Sequence, residues 1–279
     1  MFVERGRAML PSRPMLAAMV SVALLGVLLV PRLGAGGRGT HPANDTAQRT
    51  PVLVELFTSE GCSDCPPADS LLERLDKSQP VRDAELIVLS EHVDYWNDIG
   101  WRDPYSSHEY SQRQGKFAGY FGLGSVYTPQ MVVDGRIELV GSDERGAIRA
   151  IESAAKSEKI PVNLSSIHRE GSNTVALHVE TGALPPSAPG RSANVLLALA
   201  DESDESHVIR GENAGRTLRH VAVVRTLVLV GTADRTAGFS KDVRINLNSE
   251  KSQGFRLVAF VQDPEAGRIW GVGSARPSN

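Results

Sequence analysis

Cys62 and Cys65 are the only two cysteines of the 279-residue chain, and they stand two residues apart in Phe57-Thr58-Ser59-Glu60-Gly61-Cys62-Ser63-Asp64-Cys65-Pro66-Pro67. Thiols at this spacing support three chemistries: reversible thiol–disulfide exchange, capture of a soft metal, or a fixed disulfide. A disulfide closing so small a loop contributes on the order of 2 kcal/mol, little for a domain of this size, which shifts the reading toward redox chemistry. In exchange, Cys62 on the exposed side attacks, and Cys65, further into the first helical turn, resolves the mixed disulfide. Pro66 and Pro67 fit a first turn, where a missing N–H costs little, so the helix is expected to begin at Asp64 or Cys65. A helix dipole of about 1 kcal/mol lowers a thiol pKa by less than about one unit. Glu60 and Asp64 push it back up, so a mild thiol is expected.

Other residues offer proton handling and binding. Glu55 lies in the preceding apolar run, where a buried carboxylate takes the proton of the resolving cysteine, faces a polar edge, or pairs with an arginine. His92 and Asp94 follow a second apolar run, at the strand end where ligands gather in open α/β sheets, and two apart in an extended segment they point to the same side. His92 there is a proton shuttle, a metal ligand beside the thiols, or a loop histidine with a local hydrogen bond. All five tyrosines and two of the three tryptophans lie between Tyr95 and Tyr127. With Tyr95 and Trp96 in front, they form either a groove for an unfolded peptide or a small core under a helical insertion.

The elements that must position these residues follow from periodicity. Residues 52–57 and 86–89 are nearly continuous apolar runs, the pattern of strands buried on both faces. Between them Ala68, Leu71, Leu72 and Leu75 form one helical stripe, which makes a βαβ unit. After the aromatic insertion, Val126-Tyr127-Thr128-Pro129 leads to a hairpin with Asp134-Gly135 at its turn. Ser142 then caps a helix with the stripe Ala147, Ile148, Ile151, Ala154 and Ala155. From about residue 161 the texture changes to short runs at 174–179, 195–200, 221–230, 243–247 and 255–261, expected as an all-β, sandwich-like domain. The acidic run 201–205 reads as a solvated turn, lacking the glycine and spacing of a calcium loop. Residues 211–218 lack the lysine of a phosphate loop and read as a glycine-rich turn in which Glu212 and Arg216 pair.

Arg5, Arg7 and Arg13, the apolar stretch 15–30 and the glycine-rich segment 31–39 read as an export signal or an uncleaved N-terminal anchor over residues 1–35, followed by a linker at 36–50. Either reading places the body outside the cytoplasm, in the periplasm or secreted. The formal charge of -3 is spread along the chain, with no basic run interleaved with aromatics, which speaks against a nucleic-acid partner.

Strand, Cys-x-x-Cys helix, strand, then Thr-Pro before a hairpin and a last helix resemble the thioredoxin fold. The resemblance implies a cis Pro129 facing the dithiol, with Thr128 offering backbone groups to a substrate strand. A closer resemblance is to a secreted bacterial family designated domain of unknown function 1223, carried by residues 54–62, His92-Val93-Asp94-Tyr95-Trp96, Val126-Tyr127-Thr128-Pro129-Gln130 and residues 210–218. It implies a thioredoxin-like domain plus a β-rich domain. The chain departs from thioredoxin in its Ser-Asp between the cysteines, its long insertion, and a Glu55 one residue further from the dithiol. The expectation is an α/β thioredoxin-like domain at 51–159 (βαβ, aromatic helical insertion, ββα) and a β-rich domain at 160–279. Its activity is thiol–disulfide exchange with thiol- or disulfide-bearing envelope proteins or a redox donor. Cys62, Cys65, Glu55 and His92 carry the chemistry, Thr128, Pro129, Tyr95 and Trp96 bind substrate, and no cofactor is expected. Two alternatives stand beside it: a soft-metal delivery module using Cys62, Cys65 and His92, and an interaction protein with a structural disulfide.

Overall fold

The computed structural model describes residues 49–247 and 254–277. The expected signal or anchor, and all of the linker up to residue 48, lie outside the described residues. Among the described residues no helix is long and apolar enough to cross a membrane.

The first half contains β1 (Thr50–Thr58), α1 (Pro66–Ser78), β2 (Ala84–His92), α2 (His108–Phe121), β3 (Gln130–Val133), β4 (Ile137–Val140) and α3 (Glu144–Ala154). β1 and β2 are parallel and β3 runs antiparallel to β1. Helix α1 buries Ala68, Leu71, Leu72 and Leu75 as its spacing dictates, and also Asp69. It starts at Pro66, with Cys65 as its N-cap, one or two residues later than expected. Helix α3 is capped by Asp143 and not by Ser142: the Asp143 carboxylate accepts from the Gly146 N–H at 2.9 Å. The β3–β4 turn places Asp134 and Gly135 at φ 53° and 62°, the left-handed region that Asp-Gly tolerates. A Cβ on Gly135 would stand 1.9 Å from the Gly267 carbonyl oxygen, so only glycine fits.

The second half supplies β5 (Val162–Glu170), β6 (Thr174–Thr181), β7 (Ser192–His207), β8 (Thr217–Asp234), β9 (Ser240–Asn246), β10 (Phe255–Gln262) and β11 (Ile269–Ala275). Strands β5, β6 and β9 form a three-stranded sheet, but the others join the first half in one eight-stranded sheet ordered β11-β10-β7-β8-β2-β1-β3-β4. The boundary expected at 159/160 therefore marks a change of texture and not a break in the sheet. The three-stranded sheet shares a second core with β7, β10 and β11, centred on Trp270, Leu197 and Leu257, and this pairing of layers is the sandwich-like part of an α/β fold with mixed strand directions. The acidic run 201–205, expected as a turn, lies within β7 and pairs with β8.

The large sheet curls. β11 comes to lie against β1 and β2, and the Ile269 N–H bonds the Asp134 carbonyl at 2.9 Å. Val258, Phe260 and Ile269 share a core with Leu53 and Leu89. The other face of β1 carries helices: a Cβ built on Gly141 would touch Leu56, Ala68 of α1 and Pro129 together.

Candidate functional site around the Cys62–Cys65 disulfide

Cys62 and Cys65 are joined, with Cα atoms 5.4 Å apart. The loop is a tight double turn: the Cys62 N–H bonds the Ser59 carbonyl, and the Cys65 N–H bonds that of Cys62. The Cys65 carbonyl then accepts from Ala68 and Asp69 as the helix begins. Cys62, expected on the exposed side, is only 1% exposed, and Cys65 is fully buried.

The cover comes from the β7–β8 connection, residues 208–216. The Asn213 amide donates to the carbonyls of both Glu60 and Cys62 at 2.9 Å, and Glu212 accepts from the Ser63 N–H at 3.0 Å. Arg216 bonds the Asn213 side-chain oxygen at 3.0 Å and so holds that amide in its orientation. The expected Glu212–Arg216 pair is thus replaced by two separate anchors, because Glu212 reaches a free N–H just ahead of α1. Gly211, at φ 78°, lets the loop approach Trp101 closely.

On another side of the dithiol loop the Thr128–Pro129 bond is cis. Pro129 neighbours Ala68, three residues after Cys65, through the Gly141 contact. The Trp96 indole N–H donates to Thr128 Oγ1 at 2.8 Å, and its Cβ stands 3.0 Å from the position a Cβ on Gly61 would take. Trp96 thus spans from Gly61 to Thr128. Tyr95 is partly exposed and bonds Gln114. Phe117 packs with Phe57, Val93 and Val132 in a small third core, against which Trp96, Tyr120 and Phe121 rest.

Glu55 is buried but lies apart from the dithiol. Side chains alternate along a strand, so Glu55 and Phe57 point away from the face on which Leu56 meets α1. Glu55 accepts from Arg113 of α2 at 2.8 and 2.5 Å, and Glu91 lies 3.3 Å from the same guanidinium. The proton-acceptor role expected of Glu55 is therefore replaced by an ion pair within the curled sheet. Burial raises the Glu91 carboxyl well above its ordinary 4.5, Arg113 pulling it down and Glu55 pushing it up. The folded protein thus holds a proton that the unfolded chain releases above pH 4.5. Stability falls as pH rises from there through the raised pKa. Glu91→Gln is expected to flatten that slope in urea midpoints taken from about pH 4.5 to 8; an unchanged slope contradicts the assignment.

His92 ends β2 and is fully buried, its Nδ1 2.7 Å from Asp103. Asp94 does not join it: the strand stops at His92, and Asp94 turns to Ser111 and His108 at the start of α2. The His92 ring meets that of His220 from β8 edge-on, with centroids 4.6 Å apart. His220 lies between two carboxylates, Nε2 3.2 Å from Glu60 and Nδ1 3.7 Å from Asp69. Burial opposes its charge, but Asp69 and Glu60 outweigh burial and raise its pKa to about 10. Glu60 also accepts from the Trp101 indole at 2.8 Å. Among the described residues no group of three or more His, Cys, Asp or Glu is arranged to hold a metal ion. His220, Asp69 and Asp103 carry no local signal that joins them to this site, whereas Glu60 stands beside the cysteines and Asn213 falls within residues 210–218.

The fold and site define an α/β protein with a buried Cys-x-x-Cys disulfide at the head of a helix. Residues 53–262 match the family described as Protein of unknown function (DUF1223), and the chain belongs to that family. The crystal structure of protein AGR_C_4864 from Agrobacterium tumefaciens is similar at 26% identity and TM-score 0.60, covering 81% of this chain and 94% of that one. HBP35 of Porphyromonas gingivalis matches with TM-score 0.56 over 81% of this chain and 75% of that one. At 16% identity that likeness concerns the fold alone. No curated protein matches the chain significantly.

Proposed function

We propose that the protein is an extracytoplasmic thiol–disulfide oxidoreductase whose first half is a thioredoxin-like domain and whose dithiol works beneath a movable cover. The observation that carries this reading is the Cys62–Cys65 pair at the start of α1, with Pro129 neighbouring Ala68 in the first turn of that helix. Cys62 attacks a partner's disulfide, Cys65 resolves, and Thr128, Pro129, Tyr95 and Trp96 receive the partner's extended strand. The partners are thiol- or disulfide-bearing envelope proteins or a redox donor. The arginines and apolar stretch of residues 1–35 support export or anchoring at the membrane.

The burial of Cys62 favours a second reading, a permanent disulfide that braces the loop from Glu60 to Cys65. Equilibration of the native protein in glutathione buffers of graded potential, with mass-tagging of free thiols, separates the two. An exchange protein passes between states above roughly -300 mV, whereas a structural disulfide stays oxidised throughout. Within the first outcome, Cys65→Ala is expected to accumulate a mixed disulfide at Cys62 with its partner.

A further inference from the structure

We infer that Asp69, oriented by His220, is the proton acceptor for Cys65, the role Glu55 cannot fill from the opposite face of β1. The inference rests on the exchange reading above. Asp69 lies four residues after Cys65, and its N–H bonds the Cys65 carbonyl at 3.1 Å. Side chains four apart share a helix face and lean toward the N-terminus, so the Asp69 carboxylate is directed toward the turn that holds Cys65. The Asp69 side chain is 5% exposed, and its Oδ1 is buried without a hydrogen-bond partner. An unpaired buried carboxylate oxygen is costly, and here it is an open acceptor.

The surrounding groups hold it in place. His220 approaches from β8 and Glu60 from the loop ahead of Cys62. Behind His220 stand the rings of His92 and Tyr105, Asp103 on His92, and Asp204 of β7 within electrostatic reach of both histidines. His220 approaches Asp69 through Oδ2, which leaves Oδ1 to receive a proton. In the resolving step the Cys65 thiol gives its proton to Asp69 Oδ1, and the thiolate attacks Cys62 Sγ. The Cys62–Cys65 bond forms as the Cys62–partner bond breaks. The partner sulfur leaves with the electron pair, reduced, and takes up the proton from Asp69 or from water.

Reduced protein reacting with 5,5′-dithiobis(2-nitrobenzoate) reads both steps: a first thionitrobenzoate as Cys62 attacks and a second as Cys65 resolves. Asp69→Asn is expected to slow the second release about tenfold or more near pH 7 while leaving the first within about twofold. The deficit should close as pH rises toward about 8.5, where a thiol ionises unaided. His220→Gln, which removes the ring that orients Asp69, should slow the second release and leave the first within about twofold. Asp69→Glu, keeping the carboxylate, should recover much of the rate and guards against a loss that is only structural. Equal slowing of both releases, or an Asp69→Asn profile matching the parent protein, overturns the inference. A parent protein that never gives the second release overturns the exchange reading itself.

Discussion

Asn213→Ala is expected to accelerate reduction of the native disulfide by excess dithiothreitol roughly thirtyfold. The amide of Asn213 holds the carbonyls of Glu60 and Cys62 with two buried hydrogen bonds. Each is worth about 1 kcal/mol net, and every 1.4 kcal/mol shifts an equilibrium about tenfold, so losing both favours the uncovered state by about that factor. Reduction of a buried disulfide proceeds through local opening, and its rate tracks the open population when closing is fast. Glu212→Ala should give a smaller gain, because the single Glu212 bond to Ser63 is exposed to water. The measurement is a time course of thiol tagging without denaturant, with urea midpoints as control. If reduction of the parent protein depends on urea as steeply as global unfolding does, residues 208–216 are a fixed wall and the movable cover is wrong.

Arg113→Leu is expected to cost about 3–5 kcal/mol of unfolding free energy, the usual loss when one partner of a buried ion pair is removed. Arg113 donates to Glu55 and to Gln262 and lies over the rings of Phe117 and Phe260 at 5.0 and 5.3 Å. It therefore ties α2 to β1, β2 and β10 at once. Removing it leaves Glu55 and Glu91 facing each other without a cation. A variant that also carries Glu55→Gln and Glu91→Gln should regain much of the loss, since no uncompensated charge then remains buried. Urea unfolding of the single and triple variants decides it; a single-variant loss below about 1 kcal/mol contradicts the arrangement.

What was legible in the sequence was local. The stripe Ala68, Leu71, Leu72, Leu75 gave α1, Asp134-Gly135 gave the β3–β4 turn, and Thr128-Pro129 before that hairpin gave the place of the cis bond through its resemblance. The α3 cap falls at Asp143, one residue past Ser142, because both are good cap types and only the carboxylate faces Gly146. Strands β5 and β11 carry weak local signals, because β5 is mostly exposed and the apolar pattern of β11 is interrupted by Gly271 and Gly273, which admit Ile160 and Val162 at close range. The acidic run 201–205 looked like a turn because strand periodicity there is carried by charged residues whose buried member is Asp201. The union of both halves in one sheet had no local signature, since Ser90 and Val223 pair across the intervening elements. For the same reason His220 and Asn213 could not be connected with Cys62: they arrive on a strand and a loop whose partner is fixed by tertiary pairing alone.

The guard over the sulfurs is encoded far downstream of them, with Ser63 and Glu212 separated by 149 positions. A chain that emerges N-terminus first therefore displays its two thiols bare until the β7–β8 ribbon arrives. Until that ribbon arrives the pair is open to any oxidant that meets the nascent chain, and a fragment truncated after α3 would be left unshielded and with half a sheet.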